Sequence, residues 1–109
     1  MRYVSQLLKG NTDLLLLSLL QEESMYGYQI MKELDSRSGG YFKFREGTLY
    51  PALHRIEYDG YISGRWRRLS GGQERRYYSL TPKGQRRLAE QLVQWQGFAT
   101  AVRMITEPA

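Results

Sequence analysis

Leu88, Leu92, Trp95, Ala99 and Val102 recur at alternating four- and three-residue steps, with Phe98 and Ile105 thickening the same stripe, and no other feature of this 109-residue chain restricts its fold so strongly. Thr81 is placed to cap the helix that carries this seam. Pro82 stands at its first position, where an amide that cannot donate is no loss. Continued to Thr106, such a helix is on the order of 37 Å long at ~1.5 Å per residue, more than a small domain needs to cover its own core. An apolar heptad seam on a helix that outreaches its domain predicts a dimerisation arm, the competing expectation being that the seam packs within one monomer. At this chain length a partner subunit would also help to complete the core.

Upstream of the seam, residues 2–9 place Tyr3, Val4, Leu7 and Leu8 at helical spacing, a short amphipathic piece expected to dock on another element. Gly10, Asn11 and Thr12 interrupt it. Residues 14–20 are then apolar nearly all round and predict a central buried helix. A second helix is expected over residues 25–38, with Tyr26, Ile30 and Leu34 at four-residue steps and Gly39 and Gly40 as its stop. Gly27 would lie in its first turn, at a cost of about 1 kcal/mol relative to alanine, so a close approach explains it better than propensity. That approach is either tight helix packing or a phosphate brought against bare backbone.

Thr48 is expected to cap a third helix over residues 48–59, with Pro51 in its first turn and Gly60 ending it. Leu49, Ala52, Leu53 and Ile56 form its inward stripe, leaving Tyr50, Pro51, His54, Arg55 and Tyr58 to share the outer surface. After it, residues 61–68 and 75–80 alternate and are rich in β-formers, separated by the turn Ser70-Gly71-Gly72. This predicts a hairpin. It carries Arg65, Arg67, Arg68, Arg75 and Arg76 with only Glu74 against them, a density that repels itself unless an anion or open solvent receives it.

Charge follows the same division. Residues 43–87 hold 11 Lys and Arg against 4 acids, while the rest of the chain holds 5 against 7, so the net charge of +5 is concentrated in the middle. A basic middle suits a polyanion, nucleic acid being the commonest, although an anionic membrane surface responds to the same field. With no cysteine and a single histidine, disulfides, thiolate chemistry and a zinc site of the usual type are not expected, and neither is a cofactor. No clustered carboxylates or phosphate-binding glycine loop suggest an enzyme. The apolar run of residues 14–20 is too short to span a bilayer, and the expected location is the cytoplasm.

Three helices, a basic two-stranded hairpin and a long helix make a mainly α, α+β layout: a winged helix-turn-helix domain over residues 1–81, including the N-terminal docking helix, and a dimerisation helix over residues 82–109. The B-DNA major groove is about 12 Å wide and admits one helix, which leaves flanking phosphates and the minor groove for a projecting hairpin. The third helix should read double-stranded DNA and the hairpin should clamp it. A winged helix used only for protein or RNA contact is the alternative, since fold does not decide function.

The chain also resembles the PadR family of bacterial transcriptional regulators. The resemblance rests on Gln6-Leu7-Leu8-Lys9-Gly10, Tyr26-Gly27-Tyr28-Gln29-Ile30, the run from Glu46 to Arg55 with Asp59-Gly60-Tyr61-Ile62, and Arg76-Tyr77-Tyr78-Ser79-Leu80-Thr81-Pro82-Lys83-Gly84. The single long C-terminal helix is similar to that of the family's smaller subgroup. The resemblance implies a homodimeric repressor that binds a palindromic operator and is released by a small molecule. Thr48 and the amides after it should then touch phosphate, Tyr50 and Pro51 the groove wall and base edges, and His54 and Arg55 a base or phosphate one turn on. Tyr26 and Gly27, matching the family's Tyr-Gly pair, should lie beside the DNA backbone, and Arg65, Arg67, Arg68, Arg75 and Arg76 should supply phosphate contacts. Leu7, Leu8, Leu88, Leu92, Trp95, Phe98, Ala99, Val102 and Ile105 are the expected dimer contacts. Trp95 also matches a tryptophan of the family's multidrug-binding members, where aromatic rings stack on planar ligands. Phe98, Val4 and Leu8 could complete that chamber, and the other reading of Trp95 is that it fills the dimer seam.

Overall fold

A computed structural model describes residues 10–107. Its elements run α1 (Thr12–Glu22), β1 (Met25–Tyr26), α2 (Gly27–Arg37), α3 (Glu46–Tyr58), β2 (Ile62–Arg68), β3 (Glu74–Leu80) and α4 (Pro82–Thr106). The docking helix expected over residues 2–9, with Val4, Leu7 and Leu8, lies outside the described residues.

The helix apolar all round is the central one. Leu14, Leu16, Leu17, Leu19 and Leu20 of α1 are buried, and α2, α3, β3 and α4 all pack on it. From α3 the expected stripe of Leu49, Ala52, Leu53 and Ile56 closes the core, with Ile30 and Leu34 from α2. Arg37 forks onto Glu22 at 2.5 and 2.8 Å, tying α2 to α1 and holding the Glu22 carboxyl below its usual range.

Two boundaries differ from expectation. Met25 and Tyr26 do not begin a helix; they form a strand antiparallel to β3, paired with Tyr78 and Tyr77. The hairpin thereby becomes a three-stranded sheet of order β1-β3-β2. Met25 is fully buried there, and the preceding Ser24 hydroxyl shares a 2.6 Å hydrogen bond with that of Ser79, so the extended conformation satisfies core and polar groups together. The second difference is at α3, which starts three residues early. Arg45 rather than Thr48 is the N-cap, its carbonyl accepting from the Thr48 and Leu49 amides at 3.0 and 2.9 Å. Pro51 is consequently in the second turn, where its ring removes the bond that Gly47 would have accepted. The longer start places Glu46 at the positive end of the helix, which its carboxylate favours.

Gly60 ends α3 as expected. Its φ of +84° belongs to the left-handed region, and the Gly60 and Tyr61 amides return to the carbonyls of Glu57 and Ile56 at 3.0 and 2.9 Å. Thr81 caps α4 by accepting from the Gly84 amide at 3.0 Å while donating to the Gly60 carbonyl at 2.6 Å. The end of α3 and the start of α4 are therefore tied by one side chain.

Helix α4 divides along its length. Gly84, Leu88 and Gln91 are buried and Leu92 packs partly on the core, whereas Phe98, Met104 and Ile105 are 62%, 72% and 81% exposed. Leu88, expected in the dimer seam, is a core residue of the monomer because the first turns of α4 lie on α1. The apolar face left without a partner begins beyond it.

Candidate nucleic-acid interface

The outer face of α3 presents Thr48, Pro51, His54 and Arg55 to solvent, with Tyr50 half-buried beside them. Tyr50 is immobilised by its neighbour across the helix pair. A Cβ added at Gly27 would overlap the Tyr50 hydroxyl and stand 2.7 Å from its ring. Of the two readings of Gly27, close packing is the one present: α2 begins with glycine because a tyrosine of α3 occupies the space.

Arg55 has a partner that sequence spacing did not suggest. Its two terminal nitrogens donate to Asp13 at the start of α1, at 2.6 and 3.0 Å across 42 residues of sequence. Asp13 is only 15% exposed, and its carboxylate holds the Arg55 guanidinium more firmly protonated than usual. Such a fork is committed in geometry as well as charge. In this arrangement Arg55 ties α3 to α1 while 53% of its side chain stays exposed.

The hairpin sorts its arginines by strand parity. Pairing of β2 with β3 sets Arg65 opposite Tyr77, Arg67 opposite Arg75, Trp66 opposite Arg76 and Arg68 opposite Glu74. Opposed residues share a face and alternate residues change face, so Arg65, Arg67, Arg75 and Tyr77 lie on one side with Tyr26 from β1. The like charges of Arg67 and Arg75 are accommodated there by ring faces: each guanidinium lies 4.3 Å from a ring centroid, Arg67 over Tyr77 and Arg75 over Tyr26. Those two rings meet edge to face at 5.4 Å.

The other side faces the helices, and there Arg76 has an acidic partner. Its Nη2 donates to Glu57 of α3 at 2.6 Å, and the same carboxylate oxygen accepts the Gly64 amide at 3.0 Å. Arg76 is turned inward because an acid of α3 lies beneath it. Neighbouring Tyr78 is buried, which pushes its phenol above the usual value and keeps it neutral. Glu57 was not singled out in the sequence. Its signal was available, since it is the one acid between Gly47 and Tyr58.

Between α3 and the hairpin runs a cleft of about 370 Å³, lined by Tyr50 and His54 on one wall, Trp66 and Arg76 on the other, and Tyr26 with Arg75 at its end. A second cavity of about 300 Å³ lies between the starts of α1 and the middle of α4, where Trp95 and Phe98 meet Leu14, Arg87 and Gln91. The two rings are 6.1 Å apart. Gln91 Oε1 and Arg87 Nε are buried without a hydrogen-bond partner. Val4 and Leu8, expected in the same chamber, lie outside the described residues. Among the described residues no group of three or more His, Cys, Asp or Glu side chains could hold a metal ion, and no helix is long and apolar enough to cross a membrane.

Residues 16–90 match the model of the transcriptional regulator PadR-like family. The chain is 33% identical over 91 residues to an uncharacterised protein of Lysinibacillus sphaericus, a match covering 84% of each chain. It is 39% identical over 69 residues to a transcriptional regulator of Mycobacterium tuberculosis, covering 63% of this chain and 61% of that one. Among solved structures it is similar to a PadR-like transcriptional regulator from Bacillus cereus, with a TM-score of 0.84 and 31% identity over 95% of this chain and 99% of that chain. Bacillus subtilis PadR in complex with operator DNA shares the fold, with a TM-score of 0.69 at 24% identity over 75% of this chain and 46% of that chain.

Proposed function

Because this chain belongs to the PadR-like family of transcriptional regulators, we propose that it acts as a homodimeric repressor, binding a palindromic operator through two copies of α3 and released by a planar small molecule. The observation that carries this reading is the cleft between α3 and the hairpin, with Tyr50 and exposed His54 on one bank and Trp66, Arg75 and Arg76 of the hairpin on the other. Adjacent major and minor grooves of B-DNA are separated by one sugar-phosphate strand. A helix in the first groove and a hairpin at the second leave that strand in the cleft between them.

Roles follow from exposure and existing partners. Thr48 and the start of α3 face phosphate, Tyr50, Pro51 and His54 face base edges and groove wall, and Tyr26 and Gly27 border the strand. Arg65, Arg67, Arg68 and Arg75 take phosphates. Arg55, already paired with Asp13, seats α3 on α1. Four hairpin arginines per protomer make about eight phosphate contacts per dimer, so affinity should fall by about 10³ to 10⁵ between 50 and 200 mM salt. Arg67→Ala removes two of those contacts from the dimer and should flatten the slope of log affinity against log salt by about 1.8, equally for every duplex. Loss of discrimination at a single base pair, with the slope unchanged, would assign Arg67 to base reading instead.

Selection of bound duplexes from a random pool tests the whole reading. The expected product is a two-fold symmetric site with half-sites roughly 34 to 36 Å apart. Enrichment of unsymmetric or unrelated sequences would overturn it.

Residues 82–109 form the dimerisation arm in this proposal, with Trp95, Phe98, Ala99, Val102 and Ile105 facing a second copy. The effector site is the cavity by Trp95 and Phe98, whose buried Gln91 and Arg87 atoms offer an acceptor and a donor to a planar aromatic ligand. Planar dyes should quench tryptophan fluorescence of the wild type well beyond a Trp95→Ala variant, which keeps Trp66. Equal quenching of the two removes the effector site.

A further inference from the structure

Recognition helix and hairpin meet at one carboxylate. Glu57 Oε2 accepts from Arg76 Nη2 of β3 at 2.6 Å and from the Gly64 amide of β2 at 3.0 Å, so one oxygen joins α3 to both strands. Both charged side chains are sheltered, at 34% and 24% exposure, where ion pairs are screened less than on an open surface. Space for the contact is made by Gly64: a Cβ there would overlap Arg76 Nε and stand 2.9 Å from Cζ and Nη2. The pairing also removes one arginine from the outward-facing set, since Arg76 is held against an acid rather than offered to solvent.

We propose that Glu57 is a positioning residue for sequence discrimination: with Gly64 and Arg76 it fixes the angle between the recognition helix and the wing. The inference rests on the operator-binding reading above. Base contacts from α3 and phosphate contacts from the hairpin are made in neighbouring grooves, so both sets form together at one helix–wing angle only. If that angle loosens, the hairpin still finds phosphates on any sequence, because phosphate contacts carry no base code. Base-edge geometry, which depends on donor and acceptor placement, is what suffers. Freeing Arg76 also adds a cation to the nonspecific field. Specificity should therefore fall while general affinity holds.

Two substitutions break the clamp from opposite sides. Glu57→Gln keeps an oxygen for the Gly64 amide and removes the charge. Gly64→Ala leaves every charge in place and displaces Arg76, and because the obstructing atoms are the end of a flexible side chain, the fold accommodates the added methyl. Binding by the full-length protein to a selected duplex and to a scrambled one, across a salt series, is the test. Each variant should lower the ratio of the two affinities by about tenfold, with scrambled-sequence affinity unchanged or a few-fold higher and the salt slope no flatter. Arg76→Lys, which preserves a charge pair with Glu57, should retain most of the ratio. A wild-type preference that survives both substitutions overturns this inference alone, as does an equal loss on both duplexes in step with a fall in melting temperature. Absence of any preference in the wild type overturns the operator-binding reading and this inference with it.

Discussion

Gly84→Ala should destabilise the protein by about 3 kcal/mol, a large share of the 5 to 15 kcal/mol typical of a domain. Gly84 is buried in the first turn of α4. A Cβ there would overlap the Tyr61 carbonyl oxygen, stand 2.7 Å from Leu80 Cδ1 and lie 3.0 Å from the Tyr61 carbonyl carbon. Leu80 can turn its methyl aside, but the Tyr61 carbonyl does not yield easily. The Tyr61 carbonyl accepts the Thr81 amide at 3.1 Å and the Tyr61 amide donates to Ile56 at 2.9 Å, so the obstructing group is backbone held from both sides. Relief requires α4 to move off the sheet, loosening the Thr81 cap and the seat of Leu88 with it. Urea unfolding followed by circular dichroism measures the change, with Gly47→Ala as control, since no atom lies within 4 Å of a Cβ there. The control should shift by less than about 1 kcal/mol. Equal, small shifts in both variants would show that the junction of α3, β2 and α4 is less rigid than its hydrogen bonds indicate.

For the proposed homodimer, Phe98→Asp should give a monomer at micromolar concentration and lower operator affinity by about 10³-fold, without lowering the stability of the folded monomer. Phe98 is 62% exposed beside exposed Trp95 and Val102, so a carboxylate there costs the isolated monomer little while forbidding burial of that face against a second copy. Loss of the dimer turns bivalent binding into a single half-site contact, and linked half-sites exceed either alone by about 10² to 10⁴. Sedimentation and gel retardation on the same samples separate the two effects. Leu88→Asp, in the same apparent seam, should unfold the chain instead, because Leu88 is 1% exposed in the monomer. A wild type that sediments as a monomer, or a Phe98→Asp variant that remains a dimer, refutes the arm.

Local signals in the chain were sufficient at most places where the physics is local, the cap expected at Thr48 being the exception, since Arg45 holds that position. The Thr81-Pro82 start, the Gly60 stop, the turn at Ser70-Gly71-Gly72 and the stripe of Leu49, Ala52, Leu53 and Ile56 each depend on residues within a few positions, and each is present in the structure. The short strand of Met25 and Tyr26 carried no such signal. Two residues have no period, and their conformation is set by pairing with Tyr78 and Tyr77 some fifty residues later.

The arginines show the same boundary within the interface. Arg55, Arg67, Arg75 and Arg76 are alike in composition and all fall in the basic middle of the chain, a charge distribution that suits a polyanion. What each of them touches was decided by contacts across the fold: Asp13 takes Arg55 over 42 residues, Glu57 takes Arg76 over 19, and Arg67 and Arg75 lie over Tyr77 and Tyr26. Sequence alone determined the order of elements apart from β1, the layout of a winged helix and the sign of its field, since hydrophobic period, capping and net charge are summed along the chain. Tertiary structure alone decided which cations pair with an acid and which lie over a ring, and where along α4 the described core ends, because a side chain's partner is chosen by distance in space.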